Sequence, residues 1–399
     1  MRIVLATSSY APYVGGVEEH VRHVARVLLE RGHDVVVWTV ARDGRAGVRE
    51  VDGVEVRDLP SPLPARSLRA ILGFAWRLPP AAAAWLGAAR SARADVLHVQ
   101  CFGPNGTFAR LVARALRVPL VVSSHGETLA DDGGVFDASA LARASLRAAL
   151  ARADAVTGCS QVVVDDLERR FGLASGRGEV VFNGIDAEEA EPAAPPGLPP
   201  RYVAAVGRLQ HVKGFDLLID AFAAASLPAD VGLVIGGDGP AAEALRARAE
   251  ERGVADRVRF AGRLSRAEVA GLFGGAAAVA VPSRFEAFGI TALEAWRAGA
   301  PLVATTRGGP PEFVADGVDG LLRDPIDTSA FGAALAELVD DAGRARAMGA
   351  AGRARVPDFS WEDVVARYEA IYRTVTGDRD SVGASAPQGP TPRSPRPTP

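Results

Sequence analysis

The chain is almost without lysine: of its 45 basic residues only Lys213 is one, and the other 44 are arginine. Cysteine is nearly absent too. Cys101 and Cys159 lie far apart, with no CxxC or Cys/His ligand spacing, which excludes a disulfide scaffold or structural zinc site and allows a reducing compartment. There is no excess of positive charge. A net charge of −3 argues against a nucleic-acid partner. No uncharged apolar run is long enough to span a bilayer. The opening MRIVLATSS is too short for a signal-peptide core and reads as a buried strand, so a cytoplasmic protein is expected.

A composition of 48% hydrophobic and 23% charged residues, over 399 residues, fits soluble globular protein with two domains. Short β-type runs alternate with helical periodicity nearly end to end, as in α/β folds with parallel sheets. In the first half strands are expected at Arg2–Ala6, Asp34–Val40, Val54–Asp58, Val96–Gln100, Pro119–Ser124, Ala155–Cys159 and Glu179–Phe182. The run AAPPGLPP near 193–200 cannot continue a helix or central strand and marks a linker. A second series of strands starts at Tyr202–Val206, Gly232–Ile235, Arg257–Phe260, Ala278–Val281 and Leu302–Ala304. The expected division is a domain over 1–190, a linker at 191–200, a domain over 201–358 and a final helix at 359–376 that returns toward the first domain. A Pro/Ser-rich disordered tail follows at 377–399. Asp378 and Asp380 form a DxD in that tail, a poor place for a metal site.

Four segments carry candidate chemistry. In RFEAFGITALEAWRAG, Glu286 precedes a helix that starts near Phe288-Gly289, and Glu294 lies inside it. A helix start offers unpaired amides and a positive dipole end to phosphate. The spacing alone favours the bland alternative, a loop carboxylate and a solvated glutamate on an amphipathic helix. In VGRLQHVKG, Arg208 and Lys213 follow a strand, where open α/β sheets place ligands. A guanidinium and an ammonium there can hold a diphosphate; two surface cations are the bland alternative. The lone lysine in an arginine-rich chain favours a site that needs a compact point charge. In YVGGV, Gly15 and Gly16 allow close backbone approach at a helix start, or simply make a turn. In SHGE, His125 ends a strand, as a ligand contact or a structural histidine. A fifth match, GDGPAA at Gly237–Ala242, reads as a dinucleotide fingerprint but follows the second strand of its half rather than the first, and is taken as a tight turn.

The ordered set FNGID, VGRLQHVKG, GGDGP, FAGRL and PSRFEAFGITALEAW, with SWEDVVARYEAIY near the end, resembles the retaining glycosyltransferases of family four, of GT-B architecture. The resemblance covers nearly the whole chain. It implies two Rossmann-like domains with parallel sheets facing across an interdomain cleft. It implies a nucleoside-diphosphate sugar as co-substrate, UDP- or GDP-linked, with no other cofactor and no bound metal. By resemblance, Arg208 and Lys213 bind the diphosphate, Glu294 the ribose and Glu286 the sugar hydroxyls. Gly16, Gly289 and Ile290 bring backbone amides to the phosphates, Arg263 flanks the base, and His125 sits by the reacting sugar. Transfer is then expected to retain anomeric configuration by front-side departure and attack, since the sequence nominates no carboxylate for a double displacement.

The acceptor is left open: glycan, lipid or small molecule. Residues 65–94 carry Arg66, Arg69, Arg77, Arg90 and Arg93, no acid, and Trp76 and Trp85. This suits either an ordinary domain helix or peripheral contact with an anionic membrane. Two other classes compete with transfer: a nucleotide-sugar-binding protein of epimerase or phosphorylase type, and a non-catalytic partner of another transferase.

Overall fold

A computed structural model describes residues 1–13, 15–42, 46–62, 68–129, 134–187 and 191–377, apart from the side chains of 68–75. The chain divides into two units of α/β structure. The first runs from Met1 to Asn183, save a few residues near 129–132, and is completed by the helix that begins at Trp361; the second takes Gly184–Ser360.

The first unit contains β1 (Arg2–Thr7), α1 (Gly16–Glu30), β2 (Asp34–Val40), β3 (Gly47–Val51), β4 (Val54–Leu59), α2 (Leu68–Ala92), β5 (Val96–Gln100) and α3 (Pro104–Leu116). It continues with β6 (Leu120–Ser124), α4 (Val135–Ala138), α5 (Ala140–Arg152), β7 (Ala155–Gly158), α6 (Gln161–Phe171) and β8 (Gly178–Val180). The strands are rich in valine and buried on both sides, as parallel strands between helix layers must be. Their order is β3-β4-β2-β1-β5-β6-β7-β8, parallel except for the β3–β4 pair. That pair is a hairpin closed by Asp52 and Gly53, both at positive φ, the two-residue turn that a right-twisted hairpin prefers. On one side, Val4, Trp38, Leu97, Val99 and Val122 pack under α2, α3, α5 and α6. On the other, Ile3, Leu5, Val37, Val96 and Val121 pack under α1 and the last helix.

The second unit holds β9 (Arg201–Val206), α7 (Phe215–Ala224), β10 (Val231–Gly236), α8 (Ala242–Glu251), β11 (Val258–Gly262), α9 (Arg266–Gly274), β12 (Ala278–Val281) and α10 (Ile290–Arg297). Then come β13 (Leu302–Thr305), β14 (Leu321–Arg323), α11 (Thr328–Asp340) and α12 (Ala342–Arg355); α13 (Trp361–Thr376) returns to the first unit. Its strand order, β11-β10-β9-β12-β13-β14, is all parallel and reverses direction between β9 and β12. The start of α9 is a full capping box, with Ser265 and Glu268 each satisfying the other's backbone N–H.

The proline-rich run is not a free linker. The boundary between units falls at Asn183 and Gly184, and the run lies along the second unit. Ala193 donates to the Ala267 carbonyl at 2.9 Å, and Arg259 donates to the carbonyls of Gly197 and Pro196 at 2.5 and 2.6 Å. Proline keeps its carbonyl, and a guanidinium can collect several. The tail beyond Gly377, with Asp378 and Asp380, lies outside the described residues.

Candidate active site

The second unit gathers its loops at the carboxyl ends of the strands, around the point where strand order reverses, where open α/β sheets bind ligands. The loop after β9 carries Arg208, exposed, and then a single 3-10 turn, His211–Lys213. The loop after β12 carries Ser283, Arg284 and Glu286. Lys213 Nζ lies 2.8 Å from Glu286 Oε2, and Ser283 Oγ donates to that same oxygen at 2.8 Å. Glu286 is buried, so an unpaired carboxylate there would be costly. The lysine and the hydroxyl pair this oxygen and orient the carboxylate.

Close backbone contacts fix this arrangement. Gly214, at φ +67°, lies so near β12's loop that a Cβ would sit 2.0 Å from the Pro282 carbonyl oxygen. Arg284 grips Asp216, in the first turn of α7, with two bonds of 2.7 and 2.6 Å and donates to the His211 carbonyl at 2.9 Å. Despite partial burial, the Arg284 guanidinium holds the Asp216 carboxyl below its usual range. Glu286 also accepts from Gly309 N–H at 2.8 Å through its carbonyl, and donates its own N–H to the Arg307 carbonyl at 3.0 Å. The loops after β9, β12 and β13 are thus stitched together around the Lys213–Glu286 pair.

Gly289, at φ +109°, caps α10, and Ile290 is the helix's first residue. Glu294 stands one turn further, half-buried, with its charge felt by Arg266; burial and the neighbouring Arg297 lower the Arg266 guanidinium, and Glu294 raises it. Arg263 is exposed in the turn after β11. The GDGPAA segment is the packing turn expected of it. A Cβ on Gly237 would lie 1.9 Å from the Gly207 carbonyl oxygen, and one on Gly239 would lie 2.4 Å from that of Leu209. These glycines let the β10 loop touch the β9 loop.

The first unit holds Gly16 and His125. Gly16 is the first residue of α1, exposed behind an extended Gly15 cap. His125, half-buried after β6, lies at the end of a polar network that the sequence reading did not anticipate. Its Nε2 is 2.7 Å from Gln100 Oε1. Gln100 shares its strand face with His98, whose nitrogens lie 2.6 Å from both Tyr372 Oη and Ser123 Oγ. Ser123 meets Thr157 at 2.5 Å, and His20 packs edge-on to His125 with 4.5 Å between ring centroids. Burial pulls the His125 imidazole down to about 4 and His98 to about 3, and pushes His20 well below its usual range. At neutral pH all three are uncharged. Glu127 accepts from the backbone N–H groups of Phe102 and His125, both at 2.8 Å, yet burial raises its carboxyl above the usual value. The signal for this network was present in VLHVQ, where His98 and Gln100 are spaced to share a face that should otherwise be apolar.

Comparison with known proteins bears on the family and the fold. A family model described as "Glycosyltransferase Family 4" matches residues 14–189, and one described as "Glycosyl transferases group 1" matches 186–355. A glycogen synthase of Mycobacterium tuberculosis is 32% identical over 93% of this chain and 94% of its own length. A D-inositol 3-phosphate glycosyltransferase of Xylanimonas cellulosilytica is 29% identical over 92% and 93%. Among solved structures, a sucrose-phosphate synthase of Thermosynechococcus elongatus superposes with a TM-score of 0.77 at 22% identity, covering 95% of this chain and all of that one. HepE of Anabaena, in complex with UDP and glucose, superposes at 0.74 and 22% identity, covering 96% of this chain and 100% of its own. With both halves matched in order and a relative of this identity spanning nearly the whole length, the chain belongs to the GT-B glycosyltransferases of group 1, family four.

Proposed function

We propose that the protein transfers a hexosyl group, with retention of anomeric configuration and without a bound divalent metal, from a UDP- or GDP-linked sugar to a glycan, lipid or small-molecule acceptor. The observation that carries this reading is the Lys213–Glu286 pair at the strand-order reversal of the second unit. An ammonium fixed 2.8 Å from a buried carboxylate sets a cation for the leaving diphosphate next to an acceptor for sugar hydroxyls. Arg208 supplies the second cation, and the amides at Gly289 and Ile290, at a helix start, and at Gly16 supply neutral donors to the phosphates. Glu294 takes the ribose and Arg263 flanks the base. Neutral His125 acts by the sugar as a hydrogen-bonding group rather than a charge. Fixed cations and helix dipoles do the work a metal does elsewhere, and departure and attack share one face of the sugar.

UDP is the first nucleotide to try, because HepE, of similar fold, is found with it. Calorimetric titration with UDP and GDP in EDTA should show metal-free binding of one of them, much weakened in Lys213→Ala. Turnover in that variant should fall on the order of 10²–10³-fold, and Lys213→Arg should recover little of it. Neither nucleotide binding to folded protein would overturn the donor assignment. Binding without any transferred product would favour a nucleotide-sugar-binding protein that does not transfer. A trapped covalent glycosyl-enzyme would overturn the front-side route.

A further inference from the structure

The helices α2, α3 and α5 pack side by side on one face of the first unit's sheet. They comprise 25, 13 and 13 residues and contain no aspartate or glutamate at all. The chain as a whole is slightly acidic, so the acids have gone elsewhere. The helices on the opposite face, α1 and α13, carry Glu18, Glu19, Glu30, Glu362, Asp363 and Glu369. There the arginines are paired, Arg26 with Glu30 and Arg31 with Glu369. On the acid-free layer Arg77, Arg90, Arg93, Arg114 and Arg117 are exposed, and none meets a carboxylate among the described residues. Among the acids near its border, Asp95 accepts from the Arg2 backbone N–H, Asp137 from Arg170, and Asp154 from Arg152 and the Leu120 N–H; α6, on the same side of the sheet, carries Asp165, Asp166 and Glu168, which accept from Gln161, from Thr128 and Arg170, and from the Gly176 N–H.

Apolar side chains stand out of the same layer. Trp76 on α2 is 84% exposed, and Leu141 on α5, Leu111 on α3 and Val135 on α4 are exposed with it. The layer is not held up by these residues. Trp85, on the same helix as Trp76, is the one that enters the core, stacked on Phe108 and donating to the Pro60 carbonyl at 3.1 Å. Of the segment 65–94, α2 (Leu68–Ala92) is therefore a core helix whose outer side is one strip of a wider surface, and residues 65–67 lie outside the described residues.

We propose that this three-helix layer docks on an anionic lipid bilayer, the arginines meeting headgroups and Trp76, Leu111 and Leu141 entering the interface. Unpaired arginines without acids complement a negative surface, and an exposed tryptophan among them suits the headgroup level, where one side of the ring is wet and the other apolar. A nucleic acid would use the charge but leave the leucines exposed. Docking here would bring the first unit to acceptors at the membrane surface, but it does not depend on the transferase reading and is measured without turnover.

The molecule carries its own reporter. Of five tryptophans, Trp38, Trp85, Trp296 and Trp361 are buried, and Trp76 alone is exposed. The full chain is mixed with phosphatidylcholine vesicles with and without phosphatidylglycerol, at low and high salt, and followed by sedimentation and by quenching with brominated lipid. Binding should require phosphatidylglycerol, fall with salt, and bring Trp76 emission within reach of the bromines. Each arginine near the surface contributes about fivefold, so Arg77→Glu/Arg114→Glu should weaken partitioning at least ~25-fold. Arg26→Glu/Arg373→Glu, an equal charge change on the opposite layer, should leave most of it. The proposal is overturned if wild type stays in the supernatant at low salt, or if both double variants bind alike. It is also overturned if a DNA duplex retains the protein and vesicles do not. Should a variant misfold by circular dichroism, the quenching of Trp76 in wild type still decides.

Discussion

His20 and His98, buried in the first unit, and the half-buried His125 make it sensitive to mild acid. His20, His98 and His125 are neutral in the folded chain because burial opposes their charge, and each also lies near another imidazole. Unfolded, each would titrate near 6.5. Stability from this source is therefore complete above pH 6.5 and is lost as pH falls from there toward the folded values, about 4 for His125 and about 3 for His98. At pH 5 an unfolded histidine is almost wholly protonated, so each one held neutral costs about 2 kcal/mol. His125 and His98 together amount to about 4 kcal/mol, against a stability of ~5–15 kcal/mol for an ordinary domain, and His20 acts in the same direction. Glu127, raised by burial, binds a proton more readily folded than unfolded and so works in the opposite direction as pH approaches 5. The net loss is smaller than the sum, but still a large part of the unit's stability.

Proton NMR tests the cause directly. The chain has six histidines, and the C2–H signals of these three can be assigned from His20→Gln, His98→Gln and His125→Gln. All three should hold their neutral shifts from pH 7 to pH 5, while urea unfolding followed by signals of the first unit moves to lower denaturant over the same range. The His98→Gln protein should lose less stability between pH 7 and pH 5 than wild type, by about 2 kcal/mol, the contribution of one proton. If the three signals titrate between pH 7 and 6, the imidazoles are not held neutral and the reasoning fails.

Gly308 has φ +118°, and a Cβ there would lie 1.9 Å from the Glu286 carbonyl oxygen, so Gly308→Ala should cost about 3 kcal/mol or more; at Gly317, with φ +78° and open space, alanine should cost only about 1 kcal/mol. Equal melting-temperature shifts for the two would refute the close-approach argument. Arg284→Ala removes the two bonds to Asp216 that join the Lys213 loop to the Glu286 loop, and turnover should fall about tenfold through misplacement. Wild-type kinetics in that variant would show that the pair does not position the site.

Much of the fold was legible because parallel strands need nearly continuous apolar runs and the turns between them are marked by glycine. Asp34–Val40, Val96–Gln100 and Ala278–Val281 were read to the residue. The β3 strand gives little strand signal of its own, although Asp52-Gly53 is a strong hairpin signal, because GVREV at a sheet edge alternates charge with valine and has no buried run. Strand β14 and helices α11 and α12 are not among the elements the sequence predicts; α12 is a train of Ala, Gly and Arg with almost no amphipathic pattern. At the site, the Lys213–Glu286 contact joins residues 73 apart in sequence, which no local pattern can show. What could be read was that each follows a strand of one parallel sheet. Arg284 was in view beside Glu286 but had no assigned partner, since Asp216 lies on the other side of the same loop junction.

The lone lysine gains its meaning from this geometry. A chain that uses arginine at 44 positions has shown that arginine serves on its helices, at its borders and against its carbonyls. At position 213 the side chain must reach a single oxygen of Glu286 that Ser283 also occupies, from a one-turn 3-10 segment that cannot retreat because Gly214 is in backbone contact with Pro282. A planar fork with five donors fits two oxygens side by side, and here one oxygen is already shared. An ammonium can point one proton at Glu286 and turn the others toward a phosphate, with the same charge in a smaller volume. The arginine bias of the sequence and the close backbone approach at Gly214 therefore meet at one position, where an ammonium reaches a single carboxylate oxygen that a hydroxyl already shares.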